Sequence, residues 1–134
     1  MRLLLIILLL IPMQVMSAPL IVVPVTLSHH GRIVTADMVV DTGSTTTMIS
    51  PQLAERLGIP ASVYSGTAQL ADGREVGYQS AVMDVSVAGM ISKNIPVNVM
   101  QLADPRVHGL LGINFIRNFV VTLDLRNNQV RFGD

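Results

Sequence analysis

Apolar residues in this chain recur mostly at every second position, and that period predicts strands. Leu20 to Leu27 and Ile33 to Val40 are rich in Ile and Val, and Ser28-His29-His30-Gly31-Arg32 between them reads as a hairpin connection. Farther on, Ala81, Met83, Val85 and Val87 alternate with Val82, Asp84, Ser86 and Ala88. Ile91, Ile95, Val97 and Val99 alternate in turn with Ser92, Asn94, Pro96 and Asn98, so each run is expected to bury one face. Phe119, Val121, Leu123 and Leu125 continue the pattern, with Asn127-Asn128 as a turn into Gln129 to Phe132. Leu70-Ala71-Asp72-Gly73-Arg74-Glu75-Val76 carries Asp-Gly, a favoured two-residue hairpin turn. No internal repeat, low-complexity tract or linker interrupts this body.

Two stretches depart from the period. Ser50 to Gly58 offers an N-cap Ser, Pro51 at the first helical position and a terminating Gly, with Leu53 and Leu57 four apart on one face. Ile113 to Arg117, just after Gly112, reads as a short helical turn. Neither helix is long enough to form a layer, so both are expected to plug a small barrel or sandwich. The expected class is all-β, a small closed barrel-like domain with one or two short helices.

The N-terminus is apolar for a different reason. Met1-Arg2 supplies a positive charge, Leu3 to Ile11 is unbroken Leu and Ile, and Pro12 leads into Met13-Gln14-Val15-Met16-Ser17-Ala18-Pro19. A charged start, a short apolar core and then small residues form the layout of a secretory signal. Cleavage after Ser17 puts Val15 and Ser17 at the small-residue positions and divides the chain into residues 1–17 and a mature domain, 18–134. The alternative is a membrane anchor, since Leu3 to Val25 carries only Gln14 and Ser17 as polar interruptions and a span needs about 20 apolar residues. Pro12, Pro19 and Pro24 weigh against one helix across that stretch. Either way the domain is expected to work outside the cytosol, periplasmic or secreted, and to meet a membrane only if the segment is retained.

Composition narrows the chemistry. With 134 residues the chain holds one domain of ordinary size, and 50% hydrophobic against 13% charged residues exclude a disordered one. Nine Lys+Arg balance nine Asp+Glu, whereas neutralising several phosphates needs a basic excess, so no nucleic-acid partner is expected. The absence of Cys rules out disulfides, thiol nucleophiles, Cys-ligated zinc, iron–sulfur clusters and a lipid-modified Cys anchor. Any chemistry must come from oxygen and nitrogen groups.

The strongest such signal is Val39-Val40-Asp41-Thr42-Gly43-Ser44-Thr45-Thr46-Thr47, a strand that ends in an acid and a hydroxyl-rich loop. Gly43 lets the backbone turn closely around the carboxylate. Backbone N–H groups and the Ser44 hydroxyl are expected to hydrogen-bond that carboxylate, orient it and favour its ionised form. On its own the tripeptide Asp-Thr-Gly also fits an ordinary turn in which Asp41 caps a loop. Downstream, however, come the hairpin at Leu70 to Val76, two apolar strands, and Gly109-Leu110-Leu111-Gly112-Ile113-Asn114-Phe115-Ile116. Strand, acid-Thr-Gly loop, short helix, hairpin, strands, then Leu-Leu-Gly and a helical turn: this order resembles the retropepsin-like aspartic proteases from about Leu20 to Phe132. It looks most like their bacterial, secreted or membrane-tethered members.

The resemblance implies a retropepsin fold and half an enzyme. Such proteases use two carboxylates, and no other acid in this chain is followed by Thr-Gly or Ser-Gly. Catalysis would therefore need a homodimer with one Asp41 from each chain, the pair sharing a proton because two acids so close cannot both ionise. One carboxylate would take a proton from the water that attacks a peptide carbonyl while the other donates to the carbonyl oxygen. Thr42, Gly43 and Ser44 would form the active-site loop, Thr42 linking it to the partner's. Leu70, Ala71, Asp72 and Gly73 would lie in a flap that closes over a protein or peptide substrate. Leu110, Leu111 and Gly112 would support the loop, and interleaved terminal strands, Leu20 to Val23 and Gln129 to Phe132, would join the dimer. No metal and no cofactor is implied. Retroviral members usually carry an Arg after the Leu-Leu-Gly-type motif, paired with an acid; here Ile113 and the uncharged Thr45-Thr46 remove that ion pair. The rival reading is a non-catalytic dimerisation or peptide-binding module on the same fold, which has no need of a hydroxyl-buttressed acid. An anchored scaffolding domain gains weight only with a retained N-terminus.

The remaining candidates have plainer readings. His29-His30 with His108 could bind a metal, but adjacent strand residues point apart and a solvated turn is expected. His108 is expected at the surface, Tyr78 to pack within a strand, the methionines to fill core, and Asp124 to face solvent.

Overall fold

In the computed structural model, which describes residues 20–60, 66–69 and 72–133, the period-two runs are strands. The expected signal segment 1–17 and the flap residues Leu70 and Ala71 lie outside the described residues. In chain order the elements are β1 (Val22–His29), β2 (Arg32–Val40), β3 (Thr47–Ile49), α1 (Pro51–Arg56), β4 (Gly66–Gln69), β5 (Glu75–Val87) and β6 (Met90–Val99). Then follow β7 (Gly109–Leu111), α2 (Ile113–Ile116), β8 (Val121–Asp124) and β9 (Gln129–Phe132). Strands pair in the order β1-β2-β7-β3-β6-β5, and a β5–β1 pairing at Leu27 and Val85 closes the ring. That is a closed six-stranded barrel, with β4 attached outside it on β5 and β8–β9 as a separate hairpin.

Inward positions of these strands make the core. Val25, Leu27, Met38, Ile49, Val85, Val97 and Leu111 are sealed from solvent. α1 begins as its sequence implies: Ser50 Oγ accepts from the Leu53 N–H at 3.2 Å, and Gly58 ends the turn at φ +74°. Leu53 and Leu57 are both buried against the barrel. α2 inserts Phe115, fully buried, against Phe119 and Phe132 with ring centroids 5.0 and 6.0 Å away, which ties the β9 end to the barrel.

Four expectations change in detail. The β1–β2 connection is two residues, His30 and Gly31 at φ +47° and +82°, so Ser28, His29 and Arg32 belong to the strands; paired positive angles suit the twist of a tight hairpin. In β6 the expected alternation inverts. Met83 faces Ile95 but Val85 faces Ser92, so β6 carries one extra residue, and Asn94 takes φ +55° with its N–H on Asp84 Oδ1 at 2.9 Å. Beyond that bulge Ser92 is buried and Ile91 is 55% exposed. In the β4–β5 hairpin the last pair is Gln69 with Glu75, so the strands are not joined by a two-residue Asp-Gly turn. Lastly, Leu123 and Leu125 are exposed, because β8 pairs only with β9 among the described residues and Leu125 lies in the turn. Asp124 closes that turn, accepting from Asn127 Nδ2 at 2.8 Å and from the Asn127 N–H at 3.2 Å; these bonds hold its carboxyl below the usual range.

Tyr78 packs across the hairpin as expected, its ring lying over Gly66, where an added Cβ would meet the Tyr78 hydroxyl at 2.9 Å. Among the described residues no helix is long and apolar enough to cross a membrane.

Candidate active site

The acid sits where three strands converge. β7 runs parallel to β2, pairing Val39 with Leu110 and Val40 with Leu111, and antiparallel to β3, pairing Met48 with Leu110. The strand entering the Asp41 loop and the strand leaving it are therefore both held by Leu110 and its neighbours, and the Asp41 N–H donates to the Leu111 carbonyl at 3.0 Å. Gly112 follows directly. Its backbone is extended, so what demands glycine here is proximity: an added Cβ would lie 2.6 Å from the Thr46 carbonyl and 2.8 Å from the Thr47 nitrogen. Gly112→Ala is expected to destabilise the domain by about 1–3 kcal/mol, the range for overpacking a tight site. Urea denaturation against wild type measures this, and an unchanged midpoint would contradict it.

Within the loop the carboxylate is oriented by backbone alone. The Gly43 N–H donates to Asp41 Oδ1 at 2.9 Å, and the Ser44 N–H donates to the Asp41 carbonyl at 3.2 Å. The Ser44 hydroxyl does not bond the carboxylate as expected. Ser44 is buried, and its Oγ donates to the Thr46 carbonyl at 2.7 Å, which satisfies the buried hydroxyl. Thr42 and Gly43 stand exposed at the loop's tip.

Two residues that sequence reasoning passed over complete the support. Thr47, fully buried, donates from both its N–H and its Oγ1 to Asn114 Oδ1 at 2.8 Å, and its Oγ1 accepts from the Gly112 N–H at 3.1 Å. Asn114 Nδ2 donates to the Pro96 carbonyl at 2.7 Å. Backbone bonds from Ile113 to Ser44 and from Asn114 to Thr45, 2.8 and 3.1 Å, run alongside. This network is neutral and joins β3, the end of β7, α2 and β6. One signal was available: alternation puts Thr47 on the same inward face as Ile49, and a buried hydroxyl needs a partner.

Asp41 lines a cleft of about 550 Å³ together with Gly43, Ser44, Thr45, Met48, Leu110 and the 100–103 segment. The β4–β5 hairpin contributes Gln69, Asp72 and Arg74, so the hairpin does reach the acid's cleft, although Gly73 does not line it. One Asp-x-Arg clasp lies in the hairpin at the cleft, and a second follows the 100–103 segment outside the cleft lining. Asp72 accepts from Arg74 Nε at 2.7 Å and from the Arg74 N–H at 3.0 Å, which lowers its pKa. Beside Leu102 and Ala103, Arg106 donates to Asp104 through Nη2 at 2.7 Å, the backbone N–H at 2.9 Å and Nε at 3.0 Å. The Arg106 side-chain hydrogen bonds pull the Asp104 carboxyl down to about 2. This clasp is complete above the ordinary carboxylate range and is lost only as pH falls through about 2, so it persists in weakly acidic solution. Both pairs are solvated, so they shape the loops more than they stabilise the fold.

Other features stand apart. A groove of about 540 Å³ between the β8–β9 hairpin and the barrel, lined by Val23, Val87, Val120 and Phe132, has Arg131 as its one ionisable residue and so offers no acid or base pair. The rings of His29 and His30 stack at 4.0 Å instead of pointing apart, because His30 lies in the left-handed region of the turn. Among the described residues no three His, Asp or Glu side chains converge on a point that could hold a metal. His108 is exposed and lies outside the cleft of Asp41.

A family model described as aspartyl protease matches residues 23–115, from β1 to Phe115 of α2. The chain belongs to the aspartyl protease family. Its barrel is of the retropepsin-like kind. It is similar to a crystal structure of a retropepsin-like aspartic protease from Rickettsia conorii at 25% identity and a TM-score of 0.59, over 77% of this chain and 84% of that one. The retroviral protease-like domain of Ddi1 from Leishmania major aligns at 20% identity and a TM-score of 0.57, over 87% and 90% of the two chains. The inhibitor-bound EIAV protease aligns at 14% identity and a TM-score of 0.59, over 76% and 89%. These last two likenesses are of fold. No curated protein sequence matches the chain. Within this aspartyl protease the match ends in α2, so the β8–β9 hairpin lies beyond it.

Proposed function

We propose that this aspartyl protease is an endopeptidase whose site is formed by two copies of the chain, each supplying one Asp41. The observation that carries the reading is Asp41 itself, held at the cleft by the Gly43 N–H on a loop fixed to β7 and α2. In the dimer one carboxylate removes a proton from water as its oxygen bonds to the peptide carbonyl carbon, and the other protonates the carbonyl oxygen. The tetrahedral intermediate collapses with C–N cleavage, the proton passing to the departing amine. The hairpin that brings Gln69, Asp72 and Arg74 to the cleft acts as the flap that excludes water.

Several features support dimerisation. Thr42 is exposed and available to a second loop, and Leu20, Val22, Leu123 and Leu125 are exposed apolar residues near the two ends of the domain. Gln129 to Phe132 is already paired with β8 in the single chain, so the hairpin enters the interface as a unit rather than as one free strand. The charged start and apolar run of residues 1–11 support export to the periplasm or medium.

One experiment addresses both parts. Protein recovered from the exported fraction is sequenced at its N-terminus, then incubated with a peptide library across pH with and without an aspartic-protease inhibitor. An N-terminus near Ala18 and inhibitor-sensitive cleavage are expected. Recovery of Met1 from a membrane pellet would replace the signal with an anchor. Peptide binding without cleavage would favour the non-catalytic module.

A further inference from the structure

We infer that Asn114 is a positioning residue for Asp41, acting through Thr47, and that this neutral clamp sets the turnover of the site; the inference rests on the protease reading above. Asn114 lies on α2, four residues past Leu110 and remote in sequence from the acid, yet its amide is shared between three chain segments. Its Oδ1 receives both the N–H and the Oγ1 of Thr47, and its Nδ2 reaches the Pro96 carbonyl on β6. The same Thr47 hydroxyl accepts the Gly112 N–H, so one oxygen joins β3 to the end of β7. These contacts are short, and Thr47 is wholly buried, so solvent cannot replace a lost partner.

What the clamp fixes is the second half of the acid's loop. Asp41 is anchored on its N-terminal side by β7, through its own N–H. On its C-terminal side the loop runs through Ser44 and Thr45, whose carbonyls accept from the Ile113 and Asn114 N–H groups, and then enters β3 at Thr47. No charged side chain bonds this stretch in the described residues; the amide of Asn114 takes that part. A shift of the 44–47 segment moves Gly43, whose N–H orients the Asp41 carboxylate at 2.9 Å. Two such carboxylates must meet within hydrogen-bond reach of one water, and misplacement by about 1 Å costs on the order of 100-fold in rate.

The test compares wild type with Asn114→Ala, Asn114→Asp, Thr47→Val and Thr47→Ser, together with Asp41→Asn, at protein concentrations where specific activity no longer depends on dilution. Asn114→Ala and Thr47→Val are expected to lower kcat by 10- to 100-fold with KM within about twofold, since the apolar cleft walls at Met48 and Leu110 are untouched. Asn114→Asp keeps the acceptor for Thr47, and Thr47→Ser keeps the hydroxyl; each is expected to recover most of the loss. Amide hydrogen exchange is followed in parallel, with faster exchange expected at residues 43–47 and unchanged protection at Val25 and Val85. Equal kcat in wild type and Asn114→Ala, with activity still abolished by Asp41→Asn, would overturn the inference. So would a loss shared equally by all four clamp variants. Activity indifferent to Asp41→Asn would instead sink the protease reading, and the exchange pattern would still decide whether the clamp holds the loop.

Discussion

Asp41→Asn is expected to abolish peptide cleavage while leaving the barrel and its self-association intact. An amide has the shape of a carboxylate, and its oxygen still accepts the Gly43 N–H that now reaches Asp41 Oδ1 at 2.9 Å. What it cannot do is remove a proton from water or hold the one proton that two facing carboxylates share. General acid–base catalysis contributes about 10²- to 10⁴-fold per group, and the substitution strikes both groups of a symmetric pair, so a loss at or beyond the upper figure is expected. Circular dichroism and sedimentation should match wild type, which separates lost chemistry from lost structure. Measurable cleavage at the wild-type rate in the purified variant would remove Asp41 from the reaction.

Most of the barrel was legible because each strand buries one face, and burial of one face writes a period of two into the sequence. Val25 and Leu27, Met83, Val85 and Val87, and Ile95, Val97 and Val99 all fall inward as their alternation implies. The pattern misled at Ile91, where a single extra residue at the Asn94 bulge reverses the side chains that precede it on β6, turning Ser92 inward and Ile91 outward. A bulge adds a residue without altering which residue types follow, so alternation alone cannot locate it. It also misled at Leu123 and Leu125, which share the period of a buried strand but sit on a hairpin that has no third strand beside it among the described residues.

The site was legible where local backbone demands wrote it. Gly43, two residues past the acid, leaves room for the carboxylate that a Cβ would crowd at 3.2 Å, and Gly112 follows Leu111 because no Cβ fits against Thr46. Both demands leave a glycine at a fixed place in a short motif. The clamp between Thr47 and Asn114 leaves no such mark, since a hydrogen bond spanning 67 positions is set by how α2 docks on the barrel. Ser44 shows the converse error: a hydroxyl near an acid suggested a bond to it, but the buried hydroxyl instead donates to the Thr46 carbonyl.

On the proposed two-chain site, specific activity is expected to fall on dilution, because each chain would bring one Asp41 and one half of the shared cleft. Association must offset an estimated 4–15 kcal/mol of lost translational and rotational freedom. Apolar burial supplies roughly 25 cal/mol per Å², so several hundred Å² of surface such as Leu20, Val22, Leu123 and Leu125 must leave water to approach that figure. Ile113 and the uncharged Thr45-Thr46 supply no ion pair, and the neutral Thr47–Asn114 clamp is internal to one chain, so it adds nothing across the interface. Cohesion of the proposed dimer would then rest on apolar contact and on the Thr42 loops, and a measurable dissociation constant is expected. In a dilution series read by activity and by sedimentation together, both are expected to fall along one curve. Two copies joined by a flexible linker are expected to resist the fall, because the second domain is then held at millimolar effective concentration. Full specific activity in a species that sediments as a monomer would refute the shared site, since one chain would then need a second acid followed by Thr-Gly or Ser-Gly, which its sequence does not contain.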